Sequence, residues 1–510
     1  MAEVDPDLVA AVERAADPET REIFDRRVRE QADRIRDDIR SGRLDTDEFA
    51  VGMELEAYAV DGDGRLAPIP DAVFDRADCA KELGVHNFEL NTPATVFDPA
   101  GLAEQGDRIQ GSVDAVTDAL TEAGLAPVLD AMWTLPPEGG TDDYLGAVTV
   151  DDGVVVAEHM RKHPRYVALD NEILDRSGGE ITVDVPGARL AYPTILVESL
   201  ATSIQPHLQI PDADSFPQYF NVALRTMGPV LSLSSNSPFL PADCYDDDPD
   251  VIDATPHELR VHVFEESINA GASRDEGKVR FPRDLERATD VVDRVVDDET
   301  YAPVLADEEG DGDADDYRAT LREYDHKRGV HWRWIRGVVG GQPVGTEREG
   351  ASLRIEYRPL PTQPTVRDTV SLQTFVVGLL RGLVAADHPV VALPWTAARD
   401  CFYDVVAAGP DADLDWVTAD GDRTADPGVI YDELFAYARR GLREAGLADE
   451  VIDGYLDPVE RRRDGTVPSA WKKARVREAV ADGATLPEAI EAMQRSYIDR
   501  AGGETVVADW

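Results

Sequence analysis

Lysine is nearly absent from this chain. Its 510 residues hold six, at positions 81, 162, 278, 327, 472 and 473, and Lys and Arg together number 51 against 101 Asp and Glu. A formal net charge of -50 repels nucleic-acid backbones, so no nucleic-acid partner is expected. The acidic excess is spread along the chain rather than held in one tail. That is the pattern of a protein working in concentrated salt, where charges are screened over roughly 3 Å at 1 M, and it points to a salt-accumulating archaeal cytoplasm. Cysteine is also scarce: Cys79, Cys244 and Cys401 are too few and too scattered for a disulfide framework or a cysteine-based zinc site. No apolar run approaches the ~20 residues that cross a bilayer. The opening MAEVDPDLVAAVERAADPET carries acid where a signal peptide needs base. The expectation is a soluble, cytoplasmic protein with no membrane partner. No GxxxxGK[ST] phosphate loop and no GxSxG elbow occurs. GVVGGQPVG, at 337 to 345, lacks the Lys and the strand-to-helix setting of a nucleotide loop and reads as a plain loop.

What is present is a globular composition, 43% apolar, long enough for a large core or several domains. Residues 18 to 41 place Phe24, Val28, Ile35 and Ile39 on one helical stripe, with Gly42 as a stop. From about 47 to 400, short period-2 segments alternate with helical ones and no linker divides them, which implies one catalytic domain (47–400) between an N-terminal helical segment (1–46) and a helical C-terminal extension (401–510). ADEEGDGDADDY, at 306 to 317, lacks apolar residues and the spaced ligands of a calcium loop, and reads as a solvated loop. Residues 365 to 384 open with a Thr-x-x-Asp capping signal and carry Leu372, Phe375, Val376, Leu379 and Leu383 at helical spacing, which predicts a buried helix.

Four segments share a grammar of chemistry on one strand face. Side chains two apart in a strand point the same way, so in VGMELEAYAV Glu54 and Glu56 oppose Met53, Leu55 and Ala57. Their backbones lie roughly 6.6 Å apart, so the carboxylates either converge on one metal, serve two, or simply form an exposed acidic face. In HNFELNTP, Asn87, Glu89 and Asn91 oppose Phe88 and Leu90. In TSIQPHLQIP, Ser203, Gln205, His207 and Gln209 oppose Ile204, Leu208 and Ile210. In SLRIEYRPLP, Arg354, Glu356 and Arg358 oppose Leu353, Ile355 and Tyr357. If these strands are neighbours, Glu54, Glu56, Glu89, His207 and Glu356 form an oxygen-rich set with one imidazole, which suits Mg²⁺ or Mn²⁺. Arg354 and Arg358 beside them suit phosphate, which guanidinium grips in bidentate fashion. The inventory points to phosphoryl transfer. On this reading Glu356 is one of several mutually repelling carboxylates, so Glu356→Gln is expected to leave folding unharmed or improved.

VGMELEAYAVDGDGRL, FELNTP, IQPHLQI, LSLSSNSPFL and LRIEYRPLPTQPTVRDTVSLQTFVVGLLRGL stand in the order and rough spacing of the glutamate-cysteine ligase family, in its type-2 carboxylate-amine ligase branch. The resemblance spans roughly residues 48 to 390, and suggests a haloarchaeal member. It implies an α+β fold similar to glutamine synthetase, a curved antiparallel sheet forming a funnel backed by helices. It also implies an ATP- and Mg²⁺-dependent ligase that joins the glutamate side-chain carboxylate to an amine such as that of cysteine, through an acyl-phosphate. By position, Glu54, Glu56, Glu89, His207 and Glu356 resemble the family's metal ligands and Arg358 the arginine that meets the transferred phosphoryl group. Arg260 in HELRVHVFEESIN is similar to a further substrate or phosphate arginine, and Arg354 sits beside the site. Many relatives carry His-x-His where this chain has Gln205-Pro206-His207. The partners implied are ATP, glutamate and an amine, with a homo-oligomer left open. The alternatives are a phosphagen-type guanidino kinase on a related fold, which calls for a reactive Cys near the phosphates, and a non-catalytic relative that binds an amino acid or nucleotide.

Overall fold

The computed structural model describes residues 5–305, 317–345, 350–501, 503 and 505–510. Its centre is an antiparallel sheet of eight strands, here numbered in chain order: β1 Ala50–Val60, β2 Ala80–Lys81, β3 Asn87–Val96, β4 Ala126–Val128, β5 Ser203–Ile210, β6 Ile335–Gly340, β7 Ser352–Tyr357 and β8 Leu360–Pro361. The spatial order is β6-β7-β5-β1-β3-β2, with β4 paired to β1 and β8 to β5. The sheet curls into a half-barrel with helices behind it, the α+β funnel that the sequence implied.

The four predicted strands are therefore β1, β3, β5 and β7, and they are neighbours. Register settles which side chains meet. Glu54 stands opposite both Asn91 and Gln205, Glu56 opposite Glu89, and His207 opposite Glu356. Directly opposed residues share a face, so the polar sets of all four strands lie on the concave side.

The other face is the core. Met53, Leu55, Phe88, Leu90, Ile204, Leu208, Leu353 and Ile355 are all buried there, each fully buried large side chain contributing about 1.5–3 kcal/mol. The helices Phe216–Leu231 and Val366–Ala385 pack on this side. Val366–Ala385 starts as predicted: Thr365 Oγ1 accepts from the Asp368 N–H at 3.0 Å and donates to Asp368 Oδ2 at 2.6 Å. Among the described residues it is the one helix long and apolar enough to cross a membrane, and it is largely enclosed by the protein. Pro18–Arg40 is likewise helical, with Phe24, Val28, Ile35 and Ile39 buried and Gly42 at a φ of 69° ending it.

Two readings meet a different outcome. Residues 337 to 340, read as part of a loop, belong to β6, the sheet's edge strand. Gly337 is needed there because a Cβ would lie 2.5 Å from Val291 Cγ2, so its helical neighbours pack directly on the backbone. The acidic stretch 306 to 317 lies outside the described residues save Tyr317, whose hydroxyl donates to Asp38 Oδ2 at 3.0 Å.

The C-terminal helices are joined to the back of the sheet by buried charge. Lys472 Nζ donates to Asp130 Oδ1 at 2.6 Å and Arg462 Nη2 to Asp368 Oδ1 at 2.7 Å. Asn236 in SSNSPF donates to the Thr362 carbonyl at 2.7 Å and to Tyr497 Oη at 3.0 Å. SSNSPF thus braces the scaffold by joining the segment after β8 to a C-terminal helix. The expected boundary at residue 400 falls inside the helix Trp395–Ala408.

Candidate active site

The concave face encloses a cavity of about 510 Å³ whose wall includes Glu54, Glu56, Glu89, His207, Arg354, Glu356 and Arg358. Of the sequence-predicted site residues only Arg260 is elsewhere. It lies behind the wall, pairing with Glu258 at 3.1 Å and donating to the Pro359 carbonyl at 2.6 Å, next to Arg358 in the chain.

Three of the predicted ligands converge. One ligand atom each from Glu54, His207 and Glu356 lies within 4.8 Å of the others, because His207 faces Glu356 across the β5–β7 ladder and Glu54 is one strand over. His207 Nε2 is buried, 3.5 Å from Glu54 Oε1, and accepts or donates no hydrogen bond. Burial depresses the His207 pKa despite the neighbouring carboxylates, which keeps the ring neutral and able to ligate. An orphaned buried imidazole nitrogen between two carboxylates fits a hard divalent cation.

Glu56 and Glu89 share the wall but are bonded differently. Glu56 accepts from Ser203 N at 2.7 Å, Ser203 Oγ at 3.0 Å and Gln205 Nε2 at 3.0 Å. Gln205 also accepts from Arg358 Nη1 at 2.5 Å, so it links Glu56 to the arginine. Glu89 accepts from Asn91 and faces Glu82. Burial, then repulsion from Glu82, Glu54 and Glu56, pushes Glu89 up to about 10.

Glu356 is the opposite case. It is 2% exposed and gripped by Arg336, with Nη2 at 2.7 and 2.9 Å from its two oxygens and Nε at 3.1 Å from Oε2. Arg358 Nη1 donates to the same carboxylate. Burial pushes the Glu356 pKa up, but Arg336, Arg358, His207 and Arg328 together hold it well below the usual carboxylate range.

Sequence reasoning missed several wall residues. Glu82 precedes a turn into β3, and Glu198 lies in the short helix Ile195–Leu200, whose first N–H groups are held by Asp170 and Thr194. Burial first, and then Glu56 with its neighbours, pushes both carboxyls up to about 8. Arg165, Arg328 and Arg336 also line the cavity. Arg336 stands in RWIRGVV, which has no strict alternation and runs into the glycines that read as a loop.

The half-barrel thus gathers carboxylates, one imidazole and arginines on its concave face. The model of glutamate-cysteine ligase family 2 matches residues 50–500. The chain belongs to that family. Among solved structures it is similar to glutamate–cysteine ligase from Francisella tularensis in complex with AMP, with a TM-score of 0.50 and 14% identity over 91% of this chain and 92% of that one; at this identity the likeness is one of fold. It is also similar to a bifunctional glutathione synthetase from Pasteurella multocida, with a TM-score of 0.44 and 15% identity over 90% of this chain and 54% of that one. No curated protein sequence matches it. Family membership supports an ATP-dependent carboxylate-amine ligase.

Proposed function

We propose that the protein joins the side-chain carboxylate of glutamate to an amine, such as that of cysteine, through an acyl-phosphate formed with ATP. The observation that carries this reading is the convergence of Glu54, His207 and Glu356 beside the Arg358 guanidinium in a chain of this family. Glu54, His207 and Glu356 would hold Mg²⁺ or Mn²⁺, and Glu89, Glu82 and Glu198 offer oxygens for a second ion. Such ions, when bound, neutralise triphosphate charge and align the phosphate with the attacking carboxylate.

The chain's own groups supply the rest. Among the described residues Arg358 donates from Nη1, to Gln205 and Glu356, which fixes the guanidinium while leaving Nε and Nη2 for phosphoryl oxygens. No enzyme nucleophile is required. None of the cysteines lines the cavity, and burial pushes Cys79 up to about 11 and Cys401 up to about 12, which also deprives the guanidino-kinase alternative of its reactive thiol.

The test is incubation with ATP, Mg²⁺, glutamate and candidate amines in molar potassium chloride. Amine-dependent ADP is expected, and hydroxylamine should trap glutamyl hydroxamate. No hydroxamate from any amino-acid carboxylate, together with phosphate transfer to arginine or creatine, would replace the ligase by a kinase.

A further inference from the structure

Behind the edge strand β6, on the side away from the reaction cavity, lies a second cavity of about 250 Å³. Five arginines line it: Arg280, Arg283, Arg294, Arg333 and Arg336. In a chain with about twice as many acidic as basic residues, an arginine finds a carboxylate by default. Three of these do not. Arg280 donates to the Gly277 carbonyl at 3.1 Å, Arg294 to the carbonyls of Arg283 and Asp284, and Arg283 lies over the Trp395 ring at 3.5 Å. Among the described residues none of the three has a carboxylate at ion-pair distance.

The nearby carboxylates are engaged elsewhere. Asp284 is taken by Arg225, and Asp290 by Arg287 and two backbone N–H groups. Asp298, on the cavity wall, already accepts from Lys278, His331 and Arg333. Asp297, the other acid on the wall, is exposed. Burial keeps Arg294 below its usual pKa although Asp290 and Asp284 attract its charge, and Arg280 and Arg283 add repulsion. Forked guanidinium groups bind oxyanions in bidentate fashion, and the cavity falls below the roughly 300–1,000 Å³ of drug-sized ligand sites, which suits a small ion.

We propose that this cavity is a binding site for a small phosphate-type oxyanion, separate from the reaction cavity. The assay is equilibrium binding of inorganic phosphate to the full chain in molar potassium chloride with EDTA, run also on Arg358→Gln, which removes a phosphate-binding arginine of the reaction cavity and should bind as the wild type does. The wild type is expected to bind one phosphate per chain. Arg283→Gln changes an exposed side chain and should fold normally while weakening phosphate at least about tenfold; Arg280→Met with Arg294→Met should abolish binding. Arg399→Gln, half-buried and paired with Asp275 outside the cavity, should bind as the wild type does. Absence of binding against the chloride background overturns the proposal. So does equal affinity in Arg283→Gln, or AMP binding more tightly than phosphate through these arginines, which would make the ligand a nucleotide.

Discussion

Glu356→Gln separates the two accounts of the site's charge. As a strand-face pattern, Glu356 is one acid among several, and its neutralisation relieves repulsion. In the structure it is the buried counter-ion of Arg336 and Arg358, both of whose side chains are at least 87% enclosed, with exposures of 10% and 13%. Glutamine keeps one acceptor oxygen but turns an NH₂ donor toward a guanidinium, leaving two buried cations with no full counter-charge. Breaking a buried pair in this way costs about 3–5 kcal/mol, a large part of the ~5–15 kcal/mol that holds a native protein folded. Unfolding should be measured in EDTA, so that metal binding does not enter. The sign with pH follows from the depressed folded pKa: the carboxylate's contribution is complete above the unfolded value of about 4.3 and is lost as pH falls toward the folded one. The deficit of Glu356→Gln should therefore be constant from neutral pH down to about 4 and shrink only in stronger acid. Adding Arg336→Gln removes the stranded cation and should recover part of the stability while activity stays down by at least about a hundredfold. A single variant as stable as the wild type, or one with near-normal turnover at saturating Mg²⁺, refutes the reasoning.

Further outcomes are expected. Arg358→Lys keeps the charge and loses the planar fork, so ATP should still bind while hydroxamate formation from glutamate falls steeply; an unchanged yield removes Arg358 from the transfer step. Glu82 and Glu198, raised to about 8, bind protons more tightly folded than unfolded, so in EDTA stability should decline as pH rises from about 4.3 toward 8. Divalent-cation binding at pH 7 should then release protons, read by calorimetry in buffers of different ionisation enthalpy, and zero proton exchange counts against these carboxyls as cation neighbours. Ending the chain at residue 400 removes Lys472 and Arg462 from buried Asp130 and Asp368, so at about 3–5 kcal/mol per stranded charge residues 1–400 should fail to fold; a protease-resistant soluble fragment contradicts this.

The concave face was legible because strand periodicity is local. Alternation within β1, β3, β5 and β7 places each polar set on one side whatever the neighbours do, and the opposite residues, such as Leu55 and Ile355, are buried as that pattern requires. The family resemblance implied one curved antiparallel sheet, while the order of its strands came from the structure. Arg336 was lost for a different reason. Its strand ends in Gly337-Val-Val-Gly, and glycine in a strand signals a loop until the packing of Val291 against Gly337 is seen.

Glu82 and Glu198 could not be found by any strand rule, since one precedes a turn and the other occupies a short helix. Their place on the cavity wall with Glu56 and Glu89 is a tertiary fact. The same holds for the sign of each group's charge effect. Glu89 and Glu356 look alike in sequence, both flanked by apolar residues in a strand. One faces carboxylates and is pushed up to about 10; the other faces Arg336 and Arg358 and is held low. Along the sheet the site thus runs from a side that retains protons in the absence of cations to a side that is permanently ionised, with the neutral His207 between Glu54 and Glu356. A triphosphate and its metals carry complementary charges, so under the proposed function that gradient would orient them, with Glu89 and Glu54 on the metal side and Arg358 on the phosphoryl side. Exchanging the two signs, with Glu89→Gln in one variant and Arg358→Gln in another, should therefore affect different ligands, the first weakening the cation and the second the phosphate, and equal effects of both on Mg²⁺ affinity would show that no such gradient exists.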